Sequence, residues 1–179
     1  KRILSSTVLL VVLFGSWDGF GQTGTLKKDP SKLLQKYLSL DIKGARLEAL
    51  SQESQKPYVD WTEEPVWGQV VVVTGYEIAD KVEQWEVKDN LDVVIPVEFK
   101  VLGSVYLDTA TFFSDSQIER VGFHIKAVRG YWRIVEPLLP PHAGQKRMLN
   151  FMREAMVEET EPSRQAALAA LRDELKKAQ

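Results

Sequence analysis

The chain has 179 residues, 44% hydrophobic and 27% charged, the balance of one globular domain with appendages rather than two full domains. A formal net charge of -2 provides no field that would attract nucleic acid, which is therefore not an expected partner. With no cysteine, a disulfide scaffold, a thiolate metal site and a cysteine nucleophile are all excluded.

At the N-terminus Lys1 and Arg2 precede an apolar run, residues 3–14, and Gly19-Phe20-Gly21 fits a small-x-small cleavage site. Residues 1–21 are thus expected to be a signal peptide, with Gln22 as the mature start and a periplasmic or extracellular product. The run is shorter than the roughly 20 residues that span a bilayer, so no stable membrane insertion is expected after cleavage. Residues 22–29 read as a linker, 30–141 as an α+β domain, and 142–179 as a C-terminal helical extension.

Pro30-Ser31 opens a helix whose apolar arc is Leu33, Leu34, Tyr37, Leu38, Ile42, Ala45 and Leu47, with Asp41 inside the arc and Gly44 beside it. The polar stretch 51–56 ends it before Pro57. Residues 57–67 are aromatic and irregular, with Tyr58, Trp61 and Trp67 between Asp60, Glu63 and Glu64. Residues 70–78 are a β-branched strand, and 80–92 form a charged hairpin tip.

Residues 91–102 alternate, with Val93, Ile95, Val97, Phe99 and Val101 on one face; Pro96 predicts an edge or a bulge. Gly103-Ser104 bends the chain before a strand over 105–113, and residues 114–116 read as a turn. Arg129-Gly130 then closes a hairpin over 118–136. One of its faces carries Phe123, Ile125, Ala127, Trp132 and Ile134, with Glu136 at the end. The other carries His124, Lys126, Val128, Tyr131, Arg133 and Val135. Pro137, Pro140 and Pro141 stop the sheet, and helices follow over 143–158 and 163–177. Leu168, Leu171 and Leu175 form one stripe of the last helix, expected to dock on the parent domain.

These elements describe an α+β domain with a curved antiparallel sheet and a concave apolar side. Tyr37-Leu38-Ser39-Leu40-Asp41, Gly44-Ala45-Arg46-Leu47, Pro57-Tyr58-Val59-Asp60-Trp61 and Gly130-Tyr131-Trp132-Arg133-Ile134 resemble the nuclear-transport-factor-two-like superfamily over residues 30–137, in particular its uncharacterised exported bacterial group. The resemblance implies a cystatin-like cone, four to six antiparallel strands wrapped around the N-terminal helix with a deep apolar pocket. That superfamily holds ketosteroid-isomerase-like and dehydratase-like enzymes beside ligand-binding and assembly domains. No acid–base pattern matches position by position, so it assigns no catalytic residue here.

Asp41 is a carboxylate on a buried arc, suited to act as a base or to pair with Arg46, Arg133 or a backbone group. Glu136 carries the same ambiguity, and the two could form an acid–base pair if they converge. His124 suits proton transfer but lies among charges on the mixed face. His142 follows two prolines with no partner in view, and the two histidines lack metal-ligand spacing, so no metal and no cofactor is expected. The expected pocket lining is Tyr37, Asp41, Tyr58, Trp61, Trp67, Phe99, Phe123, Trp132 and Glu136. The functional expectation is a non-catalytic domain that binds a small apolar or mixed ligand or serves as an interaction module. Two alternatives stay open: a lyase or isomerase of ketosteroid-isomerase or dehydratase type using Asp41, Glu136, Tyr37 or His124, and a structural homodimerisation unit.

Overall fold

The computed structural model describes residues 29–178; the expected signal peptide and all but the last residue of the expected linker lie outside the described residues. Helix α1 spans Pro30–Ile42, with the Asp29 side chain accepting the Ser31 N–H at its start. The helix stops earlier than its apolar arc predicts. Gly44, at φ +83°, donates its N–H to the Asp41 carbonyl, and Ala45 donates to the Leu40 carbonyl. This pair of bonds is the Schellman C-cap, for which glycine is favoured because the left-handed conformation strains any Cβ. Gly44 therefore reverses the chain instead of sitting within the helix, and a separate short helix, α2, follows at Ala49–Gln52.

A six-stranded sheet comes next: β1 Gln69–Ile78, β2 Glu86–Asp89, β3 Asp92–Tyr106, β4 Thr111–Val128, β5 Tyr131–Glu136 and β6 His142–Gly144. Its order is β5-β4-β3-β1-β6, with β2 on the flank of β3. The sheet is curled into a half-barrel, and helices α3, Gln145–Glu158, and α4, Pro162–Lys177, cover one of its faces. It is mixed rather than wholly antiparallel as expected. Immediately after the prolines, the three-residue β6 runs parallel to β1, and the Val71 N–H donates to the Pro141 carbonyl. A strand this short carries no readable periodicity.

Strand β1 is buried on both faces, which is why Val70-Val71-Val72-Val73 reads as a continuous apolar run. Val71 and Val73 join a first core with Leu33, Leu34, Tyr37 and Leu38 of α1 and the inward residues of β3, β4 and β5. Val70 and Val72 join a second core with Met148, Met152, Leu168, Leu171 and Leu175 from the C-terminal helices. The leucine stripe of α4 thus docks on the sheet of its own chain, as expected.

Strand β3 serves both cores by changing face at Gly103. Val93, Ile95, Val97, Phe99 and Val101 face the first core, whereas Leu102 and Val105 face the second. The β3–β4 register slips between Val101 and Gly103, and a Cβ at Gly103 would lie 2.0 Å from the Phe113 carbonyl oxygen. The expected turn at 114–116 is absent because this bulge absorbs the extra residue inside β4. The chain reverses at residues 107–110 instead, where Ala110 has φ +50°. Pro96 lies in β3 near the point where pairing with β1 ends, its carbonyl accepting the Ala79 N–H. Its missing N–H leaves out the reciprocal bond of that pair, and the Ala79 carbonyl accepts the Trp85 indole N–H at 2.8 Å instead.

Candidate functional site

The Schellman turn returns the chain so that Arg46 meets the helix it has just left. Arg46 Nε and Nη2 donate to the two carboxylate oxygens of Asp41 at 2.8 and 2.6 Å. Nη2 also donates to the Pro140 carbonyl, and Nη1 to the Leu139 carbonyl and to Glu64 Oε1. All five guanidinium N–H groups are therefore used. Asp41 Oδ2 further accepts the backbone N–H of His142 at 3.1 Å. Both side chains are 2% exposed. Burial alone would pull the Arg46 pKa down, but its bonds and attraction to Asp41 outweigh that and raise it. The clasp joins the end of α1, the aromatic segment and the entry to β6. Asp41 is engaged by two partners and is not a free base.

Trp67 belongs to the outer side of this clasp, its indole N–H donating to Glu64 Oε1 at 3.3 Å while Gln52 holds Oε2. The other aromatic residues expected in the pocket come together. The Tyr37 ring meets Trp61 edge-on at 6.1 Å and Phe123 at 6.3 Å; Phe123 meets Phe99 at 6.3 Å, and Phe99 meets His142 at 4.4 Å. Trp132 is buried in the same core and Tyr58 is packed against it. Tyr37, Phe99 and Phe123 are at most 2% exposed, so they fill the space between α1 and the sheet, and a ligand there must displace side chains. Burial, reinforced by the Asp41 charge, pushes the Tyr37 phenol far above its ordinary pKa and keeps it neutral.

His142 is the functional candidate that the sequence did not single out. Its ring lies on Phe99, and its Nδ1 is 2.8 Å from the Pro140 carbonyl. A carbonyl can only accept, so this contact assigns the proton to Nδ1 and leaves a lone pair on Nε2. Burial lowers the His142 pKa, against the opposing pull of Asp41, the Pro140 carbonyl and, more weakly, Glu119. Nε2 has no hydrogen-bond partner among the described residues, nor do the buried Trp61 Nε1 and Gln55 Oε1. The Gln55 amide nitrogen donates to the Tyr37 carbonyl, which places that side chain beside the same ring cluster. Only the alternation of a recognised β6 would have revealed His142 as an inward residue.

Glu136 and His124 lie elsewhere. The hairpin pairs Ile125 with Ile134 and Ala127 with Trp132 as expected, but a bulge in β5 sets Glu136 opposite His124 rather than Phe123. The Glu136 carboxylate is 3.5 Å from His124 Nδ1 and 74% exposed, on the face away from Phe123. It is neither on the apolar face nor a partner for Asp41, which corrects that expectation. His124 Nε2 contacts Asp92 Oδ1 at 2.5 Å, and Lys126 holds the other oxygen at 3.2 Å. The cluster is a charge-neutralising network on the outer face of the sheet.

Among the described residues, no group of three or more His, Asp or Glu is placed to hold a metal ion, and no helix is long and apolar enough to cross a membrane. No protein-family model matches the chain, and neither a curated protein nor a solved structure matches it.

Proposed function

We propose that the chain is an exported, non-catalytic binding domain of the cone type, its curled sheet wrapped around α1 and its ligand held between them. One observation carries this reading. Gln55 Oε1, Trp61 Nε1 and His142 Nε2 are buried in or against a single aromatic core, without partners among the described residues. Each such atom costs about 1–3 kcal/mol when left unpaired. A small, largely apolar ligand with its own donor and acceptor would offset that cost. The irregular segment that carries Tyr58 and Trp61 is attached to β5 by few backbone bonds, among them Asp60 N–H to the Ile134 carbonyl, and is the element that would yield. The lyase or isomerase alternative loses the pair it requires, because Asp41 is committed to Arg46 and Glu136 is on the outer face.

Native mass spectrometry of the intact protein, purified without denaturation, tests the reading. A retained small molecule that is released when the protein unfolds supports it. A single ligand-free mass, together with unchanged Trp fluorescence across a panel of small aromatic and aliphatic compounds, overturns it.

A second reading, a dimerisation unit, is favoured by a different feature. Strand β4 pairs with β5 only from His124 onward, so among the described residues its outer edge is open over 111–123, where Phe113 and Ile118 are exposed. Such an edge can add a strand from a second copy. Sedimentation of the protein and of Ile118→Lys decides it: a dimer that Ile118→Lys dissociates supports pairing, and a monomer at all concentrations excludes it.

A further inference from the structure

We infer that His142 Nε2 is the acceptor for a neutral hydroxyl group on an aromatic ligand, a phenol being the simplest member of the class. This rests on the space between α1 and the sheet being the ligand site. The ring of His142 is fixed from three sides. Its backbone N–H is bound to Asp41 Oδ2, its Nδ1 to the Pro140 carbonyl, and its face to Phe99. The only valence left is the Nε2 lone pair, which is buried and without a partner among the described residues.

The surroundings select the chemistry of the donor. An anionic ligand would face the Asp41 carboxylate nearby and the Glu119 carboxylate, which sits opposite Phe99 in the β3–β4 register. A cationic ligand would face the Arg46 guanidinium, whose five N–H groups are already placed. A neutral donor avoids both penalties. Desolvation also holds the imidazole in its neutral form, the state able to accept. The neighbouring surfaces are the rings of Phe99, Phe123, Tyr37 and Tyr76, which favour an aromatic body packed edge-on or offset.

The test uses p-cresol and its isostere p-xylene, which differ in hydroxyl against methyl, titrated into the full protein at pH 7.5. The readouts are affinity and the nitrogen-15 resonance of His142 Nε2. The expected result is p-cresol binding about ten-fold tighter than p-xylene, with the Nε2 resonance moving for p-cresol alone. In His142→Asn, whose amide can still donate to the Pro140 carbonyl, the preference falls to about one-fold. Equal affinity for both compounds in the unsubstituted protein overturns the role of His142 while leaving the ligand site in place. Binding of neither compound overturns both. A p-cresol preference that survives in His142→Asn assigns the hydroxyl to another acceptor and refutes the inference.

Discussion

The two cores of this molecule are built differently although they share one sheet. The buried residues beneath the C-terminal helices are aliphatic: Val70, Val72, Leu102, Val105, Met148, Met152, Leu168, Leu171 and Leu175 with Ala110 and Ala143, while Phe112 and Phe151 pack half-buried at the margin. Among the described residues, the core beneath α1 has every large buried aromatic residue and every buried polar or charged one, namely Asp41, Gln55 and His142, with Arg46 clasped to Asp41. Buried polar groups cost free energy unless paired, and three atoms on the α1 side have no partner among the described residues. A chain that needed only stability would have filled both faces as it fills the second. The proposed binding role belongs to the face beneath α1, and the other face is read as scaffold.

The largest expected effect comes from breaking the clasp. Arg46→Ala leaves the Asp41 carboxylate buried and uncompensated, and should cost about 3–5 kcal/mol in urea unfolding. The double substitution Asp41→Leu with Arg46→Met should recover most of that loss, because the pair as a whole contributes little net stability. A double variant as unstable as Arg46→Ala would contradict this. In the scaffold core, Leu171→Ala should cost about 2–5 kcal/mol while leaving ligand retention per folded molecule unchanged. Loss of retention in that variant, at a temperature where it is fully folded, would erase the distinction between the cores.

Gly103→Ala tests the kink that lets β3 serve both faces. With φ at +147° and the Phe113 oxygen 2.0 Å from the new Cβ, it should cost about 1–3 kcal/mol or more. Burial favours neutral His142 in the folded state, whereas the unfolded chain takes up a proton at a pKa near 6.5. The unfolded state then binds more protons, so this contribution to stability is present above about pH 6.5 and is lost as pH falls through and below it. Denaturation midpoints measured between pH 7.5 and 5.5 should fall in the unsubstituted protein and fall less in His142→Asn; superimposable profiles would contradict the assignment. The smallest effect belongs to Glu136→Gln, which should change stability by less than about 0.5 kcal/mol, because the carboxylate is exposed and its ion pair screened.

How far the chain could be read from its residues differs between these same regions. The Arg129-Gly130 turn, with both residues at positive φ, and the pairing of Ile125 with Ile134 follow from alternation alone. So does the burial of Asp41, and Arg46 was among the partners its position in the arc allowed. Alternation misplaces Glu136 because one bulged residue in β5 moves every later side chain to the other face, and the bulge leaves no compositional mark there. The inward placement of His142 is not legible in the sequence, because β6 is defined by parallel pairing to a strand some seventy residues earlier, which no local pattern encodes. The turn at 107–110 lacks Gly and Pro, while Ser114-Asp115-Ser116 has turn composition but lies within a bulged strand. Local rules therefore locate the aromatic side chains of the first core but not His142, the polar group on which the proposed ligand preference rests.

Hydrogen exchange compared between the two cores tests this division most directly. Added p-cresol should slow exchange of the Trp61 indole N–H and of the amides around α1 and β6, while the amides of α3 and α4 keep their rates. Slowing that is equal in both cores, or confined to the C-terminal helices, would contradict the assignment of binding to the face beneath α1.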